Sequence, residues 1–301
     1  MAEEFIRKSY GKKDMKTAYI IDGYYYLYSS FLASNLQLTS PKGEPTTATH
    51  IFTGEILNLI RHEKPDMLAV TLDSPAKTFR KEIYSQYKGT RPDGMPPDLQ
   101  IQVARMIEIL EAFNIPVYRM DGYEADDIIG TLAKKLVNSG NQVRICTKDK
   151  DMCQLVGPNV SIYEMKSKQE LNVLGVYEKY GLKPNQFVDF LALQGDASDN
   201  IPGVYGIGAK GALKLIQEYG TLESLYANVW QIKGKLREKL VSGKSNALLS
   251  QKLATIERNV PIEVKIEDMI WTIPNFTKLI PLFEELGFEK HLNTIYSTWR
   301  M

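Results

Sequence analysis

The chain is expected to fold as an α/β protein: a mostly parallel sheet flanked by helices, followed by an all-helical part. Two observations carry this. Short apolar runs that end at Asp22, Asp73 and near Asp149 are separated by helical patterns, and from about Gly175 the pattern is helical and broken by glycines. Strands that alternate with helices build parallel sheets through right-handed crossovers.

Residues 1–16 mix charge and polarity without period and read as a loose leader. Tyr19-Ile20-Ile21 is a buried strand entering the turn Asp22-Gly23. Phe52, Ile56, Leu59 and Ile60 recur at helical spacing, and Leu68 to Leu72 forms a second strand ending at Asp73. Leu99, Val103, Met106, Ile107 and Leu110 stripe one helix face, and a strand follows near Val117-Tyr118. Ile128, Ile129, Leu132 and Leu136 mark the next helix, the turn Ser139-Gly140-Asn141 ends it, and Val143 to Cys146 is the next strand. Leu279, Leu282, Phe283 and Leu286 give a closing amphipathic helix. The expected division is a core over 17–174, with a long insertion near 75–98, and a helical region over 175–301. No low-complexity linker parts them, so they are expected to pack around a shared cleft.

A length of 301 residues fits one large domain, or a domain with a smaller appendage, and 44% apolar residues supply a sizeable core. Lys and Arg total 37 against 36 acidic residues, which excludes a uniformly basic nucleic-acid coat, so electrostatic function must come from local segregation of charge. Two cysteines, Cys146 and Cys153, are too few for a disulfide framework or a zinc cluster and suit a reducing cytoplasm. Neither a secretory apolar segment nor a membrane-length apolar run occurs, so no membrane partner is expected.

Parallel sheets bind ligands beyond the carboxyl ends of their strands. Asp22, Asp73 and Asp149 stand there, Asp151 follows closely, and Glu124, Asp126 and Asp127 open a helix. Asp196 and Asp199 lie in the loop before Ile201-Pro202-Gly203. Each alone suits a turn or a helix cap. Gathered in one cleft, two unit charges ~4 Å apart repel by about 4 kcal/mol at an effective dielectric of 20, so the set must protonate, spread or bind cations. Oxygen-only ligands select Mg²⁺ or Mn²⁺ over zinc, and two such ions about 4 Å apart would clamp the attacking and leaving oxygens of a phosphodiester.

From Pro75 to Arg91 the insertion carries Lys77, Arg80, Lys81, Lys88 and Arg91 against Glu82 alone, interleaved with Phe79, Tyr84 and Tyr87. Cations among aromatic faces suit single-stranded nucleic acid. Further on, Gly203, Gly206 and Gly208 precede Lys210 at the start of a helix, where close backbone approach and helix amides favour the phosphates of a duplex. Gly-x-Gly alone is a weak signal, and no strand precedes it as a dinucleotide site would require.

Taken together, Ile21-Asp22-Gly23, Phe79-Arg80, Tyr87-Lys88, Arg91-Pro92, Glu124-Ala125-Asp126-Asp127, Thr147 to Asp151, Gly195-Asp196 and Asp199 to Gly203 resemble the 5′ nuclease domains of bacterial DNA polymerase I, in the flap endonuclease superfamily. The resemblance runs from about Thr17 to the C-terminal region. It implies a PIN-like core, a helical arch over the active site, and a duplex-binding helix-hairpin-helix near 200–217, often with K⁺. It implies Asp22, Asp73, Glu124 and Asp126 on a first ion, supported by Asp127, and Asp149, Asp151, Asp196 and Asp199 on a second. Lys88 and Arg91, with Arg80, would steer the scissile phosphate, while Lys77, Lys81 and Tyr87 of the arch and the glycine hairpin would hold DNA. The implied activity is 5′ to 3′ exonuclease and 5′-flap endonuclease action on DNA flaps, nicks and ends, including RNA primers on DNA, by a monomer. Tyr24, Tyr25, Tyr26 and Ser29 depart from the family pattern at one phosphate grip, as do Gly211 after the hairpin lysine and a longer loop at Pro92 to Met95. The alternatives are a PIN-type ribonuclease, which normally lacks arch and hairpin, and a non-catalytic DNA-binding protein, which needs no dense carboxylates.

Overall fold

The computed structural model describes residues 15–33, 37–91 and 94–300. Most of the expected leader lies outside them, as do Pro92 and Asp93 of the longer loop. Strand β1 (Thr17–Asp22) is central and pairs in parallel with β2 (Met67–Thr71) on one side and β4 (Gln142–Cys146) on the other. Outside them β3 (Val117–Tyr118) and β5 (Val160–Glu164) also run parallel, whereas β6 (Gln169–Leu171) is antiparallel to β5. The order is β3-β2-β1-β4-β5-β6. The last two strands go beyond the sequence reading: Ser161 and Glu164 interrupt the apolar run of β5, and β6 presents Gln169 and Glu170.

Helices α1 (Gly23–Ala33), α2 (Thr47–Glu63), α3 (Phe79–Ile83), α4 (Pro97–Ala112) and α5 (Ala125–Asn138) connect the first four strands. After β6 come α6 (Val173–Tyr180), α7 (Phe187–Gln194), α8 (Ala209–Tyr219), α9 (Leu222–Ala227), α10 (Gly234–Ser242) and α11 (Lys244–Ala254). The chain closes with α12 (Phe276–Leu286) and α13 (Glu289–Trp299). Among the described residues no helix is long and apolar enough to cross a membrane.

The sheet divides two cores, because side chains alternate across a strand. Tyr19 and Ile21 of β1 face Phe52 and Ile56 of α2 and Met106 of α4, whereas Ala18 and Ile20 face Ile128 and Leu132 of α5. The second core continues into Phe187, Leu215 and Leu240 of the helical half. Leu279 and Phe283 of α12 and Ile295 of α13 join the first core, so the region expected to be one helical unit over 175–301 sends its last two helices back across the sheet. At the β1–α1 junction a Cβ on Gly23 would meet Leu72 Cδ2 at 2.7 Å. The missing side chain lets α1 start against β2 and fixes where Asp22 emerges.

Candidate active site

The carboxyl ends of β1, β2 and β4 deliver the first acids. Asp22 is the last residue of β1; its Oδ1 accepts the Tyr25 amide at 3.0 Å and its Oδ2 accepts the Thr147 hydroxyl at 3.2 Å. Asp73, just beyond β2, accepts the Ala125 amide at 2.7 Å and so ties itself to the start of α5. Glu124 caps α5 and Asp126 lies in its first turn, where the helix dipole favours negative charge. Asp149 accepts the Asp151 amide at 2.9 Å, which begins the 3-10 turn Lys150–Leu155 and turns Asp151 into the same space.

Asp196 and Asp199 are brought in by a backbone crossing. Gly195 (φ 77) and Gly203 (φ 60) approach so closely that a Cβ on Gly203 would lie 2.4 Å from the Gly195 nitrogen. Both glycines occupy the left-handed region, which a side chain would disfavour, and the loop closes through Asp196 and Ile201, paired at 2.8 and 3.0 Å. The Gly203 amide donates to Ser250 Oγ at 2.9 Å. That amide is therefore unavailable to a phosphate, which corrects the assignment of Gly203 to DNA.

Burial, with Asp73 and Asp149 nearby, pushes the Asp22 carboxyl up to about 7. Burial and Asp149 raise Asp151 to about 7, with Asp196 and Asp199 adding to the shift. Asp126 is raised well above the usual carboxylate range by burial, and by Asp149, Asp22 and Glu124. Burial opposes ionisation of Asp196 too, but Lys150 at 2.7 Å and Ser198 outweigh it and hold its carboxyl low. These mutual influences link the five sources of acid into one electrostatic unit.

Cations of the chain lie among them. Lys88 Nζ is 2.8 Å from Glu124 Oε1 and 3.7 Å from Asp199 Oδ2, and Arg91 Nη2 is 2.6 Å from Asp199 Oδ1. Lys88 has a left-handed backbone (φ 53), stabilised where its amide donates to the Asp199 carbonyl at 2.8 Å. Although burial opposes its charge, Glu124, Asp199 and Asp126 raise the Lys88 pKa. Lys150, on Asp196, and Thr147, on Asp22, add to the site, and their place in the Thr147 to Asp151 motif is the one sequence signal for them.

Three expected residues take other roles. Arg80 is 2% exposed and grips Asp127 through both terminal nitrogens at 2.7 Å, while it also donates to the carbonyls of Leu253 at 2.9 Å and Thr255 at 2.8 Å. A buried guanidinium with these partners is a fastener between α3, α5 and α11, not a phosphate grip. Asp127 also accepts the amides of Glu124 and Glu257, so its oxygens are consumed and it leaves the metal set. Tyr87 is 2% exposed, its hydroxyl shared between Glu124 at 3.0 Å and Asp199 at 3.1 Å, so it is no stacking face for a base. Lys77 and Lys81 are exposed, as are Gly206, Gly208 and Lys210 at the start of α8. Among the described residues between β2 and α4 the one helix is α3, so the expected arch folds down on the cleft through Tyr87 and Lys88.

Among the described residues, no three Asp, Glu, His or Cys side chains are already arranged around one ion. Lysines and an arginine satisfy several of the oxygens instead. The donor chemistry nevertheless fits a hard dication: Asp151 Oδ1 is buried without a partner, and burial and neighbouring carboxylates disfavour the ionised forms of Asp22, Asp126 and Asp151.

A parallel sheet with such an acidic carboxyl edge and a helical half behind it is the architecture of a metal-dependent nuclease. The sequence matches the family 5′-3′ exonuclease, N-terminal resolvase-like domain, over residues 17–181, and its companion, 5′-3′ exonuclease, C-terminal SAM fold, over 182–277. The chain is 43% identical to DNA polymerase I of Caldicellulosiruptor bescii over 90% of its own length, but spans only 32% of that protein. It is 37% identical to the 5′-3′ exonuclease of Aquifex aeolicus, covering 95% of this chain and 97% of that one. Among solved structures, the flap endonuclease of bacteriophage T5, in a pseudo-enzyme-product complex with DNA and metal ions, superimposes with a TM-score of 0.64 at 19% identity, covering 95% of this chain and 98% of the other. The chain belongs to the 5′-3′ exonuclease family and shares the fold of the flap endonucleases.

Proposed function

We propose that this chain hydrolyses DNA phosphodiesters as a 5′ to 3′ exonuclease and 5′-flap endonuclease, with two Mg²⁺ or Mn²⁺ ions. The carrying observation is the gathering of carboxylates from three strand ends, one helix start and the Gly195–Gly203 loop into a single electrostatic unit. Asp22, Asp73, Glu124 and Asp126 hold the first ion in this reading, and Asp149, Asp151, Asp196 and Asp199 hold or orient the second. Bound there, the ions would activate water and stabilise charge on the phosphoryl oxygens. The chain's own contribution is positional. Lys88 and Arg91 exchange Glu124 and Asp199 for the scissile phosphate, and Thr147 keeps Asp22 aimed at the cleft.

The α7–α8 loop takes duplex DNA, with Gly206, Gly208, Lys210 and the first-turn amides of α8 at the phosphates. K⁺ at this loop is part of the reading; Lys239 Nζ donates to the Gly206 carbonyl at 3.0 Å, so an ion taking that oxygen would have to displace it. The functional division falls near 174, and the two free, buried cysteines support a reducing cytoplasm. Cleavage of a labelled 5′-flap DNA with and without Mg²⁺, beside matched single-stranded RNA, tests the reading. Metal-dependent release of the flap is expected. Preference for the RNA would indicate a PIN-type ribonuclease, and binding without cleavage a non-catalytic DNA-binding protein.

A further inference from the structure

We infer that Trp230 is a binding site for an unpaired base of the DNA substrate, across α10 from the α7–α8 loop; this rests on the duplex-binding reading of that loop. Trp230 is 71% exposed, yet its backbone is anchored by the buried side chains of Val229 and Ile232 on either side of the turn. The fold therefore holds a large aromatic ring in solvent. Arg237 lies over that ring, 5.9 Å from its centre, and leaves most of its surface open.

Charge in this region is segregated, although the whole chain carries a formal charge of only +1. From 229 to 252, Lys233, Lys235, Arg237, Lys239, Lys244 and Lys252 stand against Glu238 alone, and among the described residues none of them forms an ion pair. Helix α10 stands between the ring and the loop and sends a cation to each. Arg237 reaches Trp230, while Lys239, two residues on and on the other side of the helix, donates to the Gly206 carbonyl of the loop at 3.0 Å. The ring and the loop are thus joined through one short cationic helix, so DNA held at the loop lies beside cations that flank an open aromatic face.

What that face can recognise follows from base stacking. Inside a duplex each base is paired and covered by its neighbours, so an aromatic side chain finds an unpaired base with an open face only at a gap or a single-stranded extension. Cations beside the ring hold the phosphates that flank such a base. The site thus selects a break in duplex structure, and does so without reading sequence.

The test uses the whole chain without divalent metal. Affinity is measured for a blunt duplex and for the same duplex with a three-nucleotide single-stranded extension, together with quenching of intrinsic tryptophan fluorescence at saturation. Trp271 and Trp299, which line a separate cavity with Ile60 and Pro65, give a constant background. The extension should tighten binding by about tenfold and quench the emission, within the range for one base–aromatic stack. Trp230→Ala should abolish both effects while leaving blunt-duplex affinity and melting temperature unchanged, and Trp230→Phe should keep most of the gain. Lys210→Ala should weaken both probes equally; if it weakens neither while Trp230→Ala still removes the gain, the loop reading fails and the Trp230 site stands. Equal wild-type affinity for the two probes, or a gain that survives Trp230→Ala, overturns the inference.

Discussion

Arg80 and Lys88, eight positions apart in one basic segment, separate two uses of a cation. Arg80 lies in the interior with Asp127, and removing one partner of such a pair leaves an uncompensated buried charge. Arg80→Ala is expected to cost about 3–5 kcal/mol of stability, read by denaturant unfolding, and loss of cleavage in a variant with native stability would restore it to the catalytic set. Lys88 is less constrained, and Lys88→Ala should slow single-turnover cleavage by about 10²-fold, roughly 2.7 kcal/mol, with duplex affinity little changed. A normal rate at saturating DNA would reduce Lys88 to an attractor of substrate. Local sequence does not separate these two roles. Both residues sit among aromatics in a polar run, and only Asp127, 47 positions away along the chain, makes one of them internal.

Elements show a similar division between local pattern and tertiary partner. β1 and β2 are legible because unbroken apolar runs lead to acids and β4 because Val143, Ile145 and Cys146 run up to Asp149, whereas β5 conceals itself behind Ser161 and Glu164. Helix α12 is legible from Leu279, Phe283 and Leu286, but its docking on the first core is not, since an amphipathic stripe does not say which face it covers. The joint between α13 and α2 has a chemical signature of its own. His291 stacks on His50 with ring centres 4.2 Å apart, and its Nε2 lies 2.9 Å from the His50 carbonyl. Burial, and then His50, lower the His291 pKa from 6.5 to about 4. The unfolded chain therefore binds a proton that the folded one refuses between those values, so this stabilisation is complete above pH 6.5 and lost as pH falls towards 4. The shift corresponds to about 3 kcal/mol. Melting at stepped pH should show this acid sensitivity, and His291→Leu should remove it; an unchanged profile in the variant would place the sensitivity elsewhere.

At the scale of the molecule, the acidic cleft opposes folding where the helices support it. Asp22 and Asp151 have folded pKa values of about 7, above the ordinary 3.8, so the folded state binds the extra protons and loses stability as pH rises from about 4 to 7. A bound dication offsets that repulsion. The rise in melting temperature on adding Mg²⁺ should be larger at pH 8 than at pH 5; an equal rise at both would show that Mg²⁺ binds away from these acids. Asp149→Asn should lose hydrolysis while keeping DNA affinity, since it removes negative charge facing phosphates.

The central place of β1 has a consequence for the order in which the molecule can form. Thr17 at its start pairs with Gln142, and the core behind it is closed by Leu279 and Phe283. During synthesis the first strand must therefore wait for β4 to emerge before both its edges are paired, and its core closes only when α12 arrives. Such long-range closure makes for slow folding, because loop entropy is lost before the contacts that reward it are made. A nascent chain halted before α12 leaves apolar residues of α2 and α4 uncovered, and that intermediate is the natural client of a chaperone.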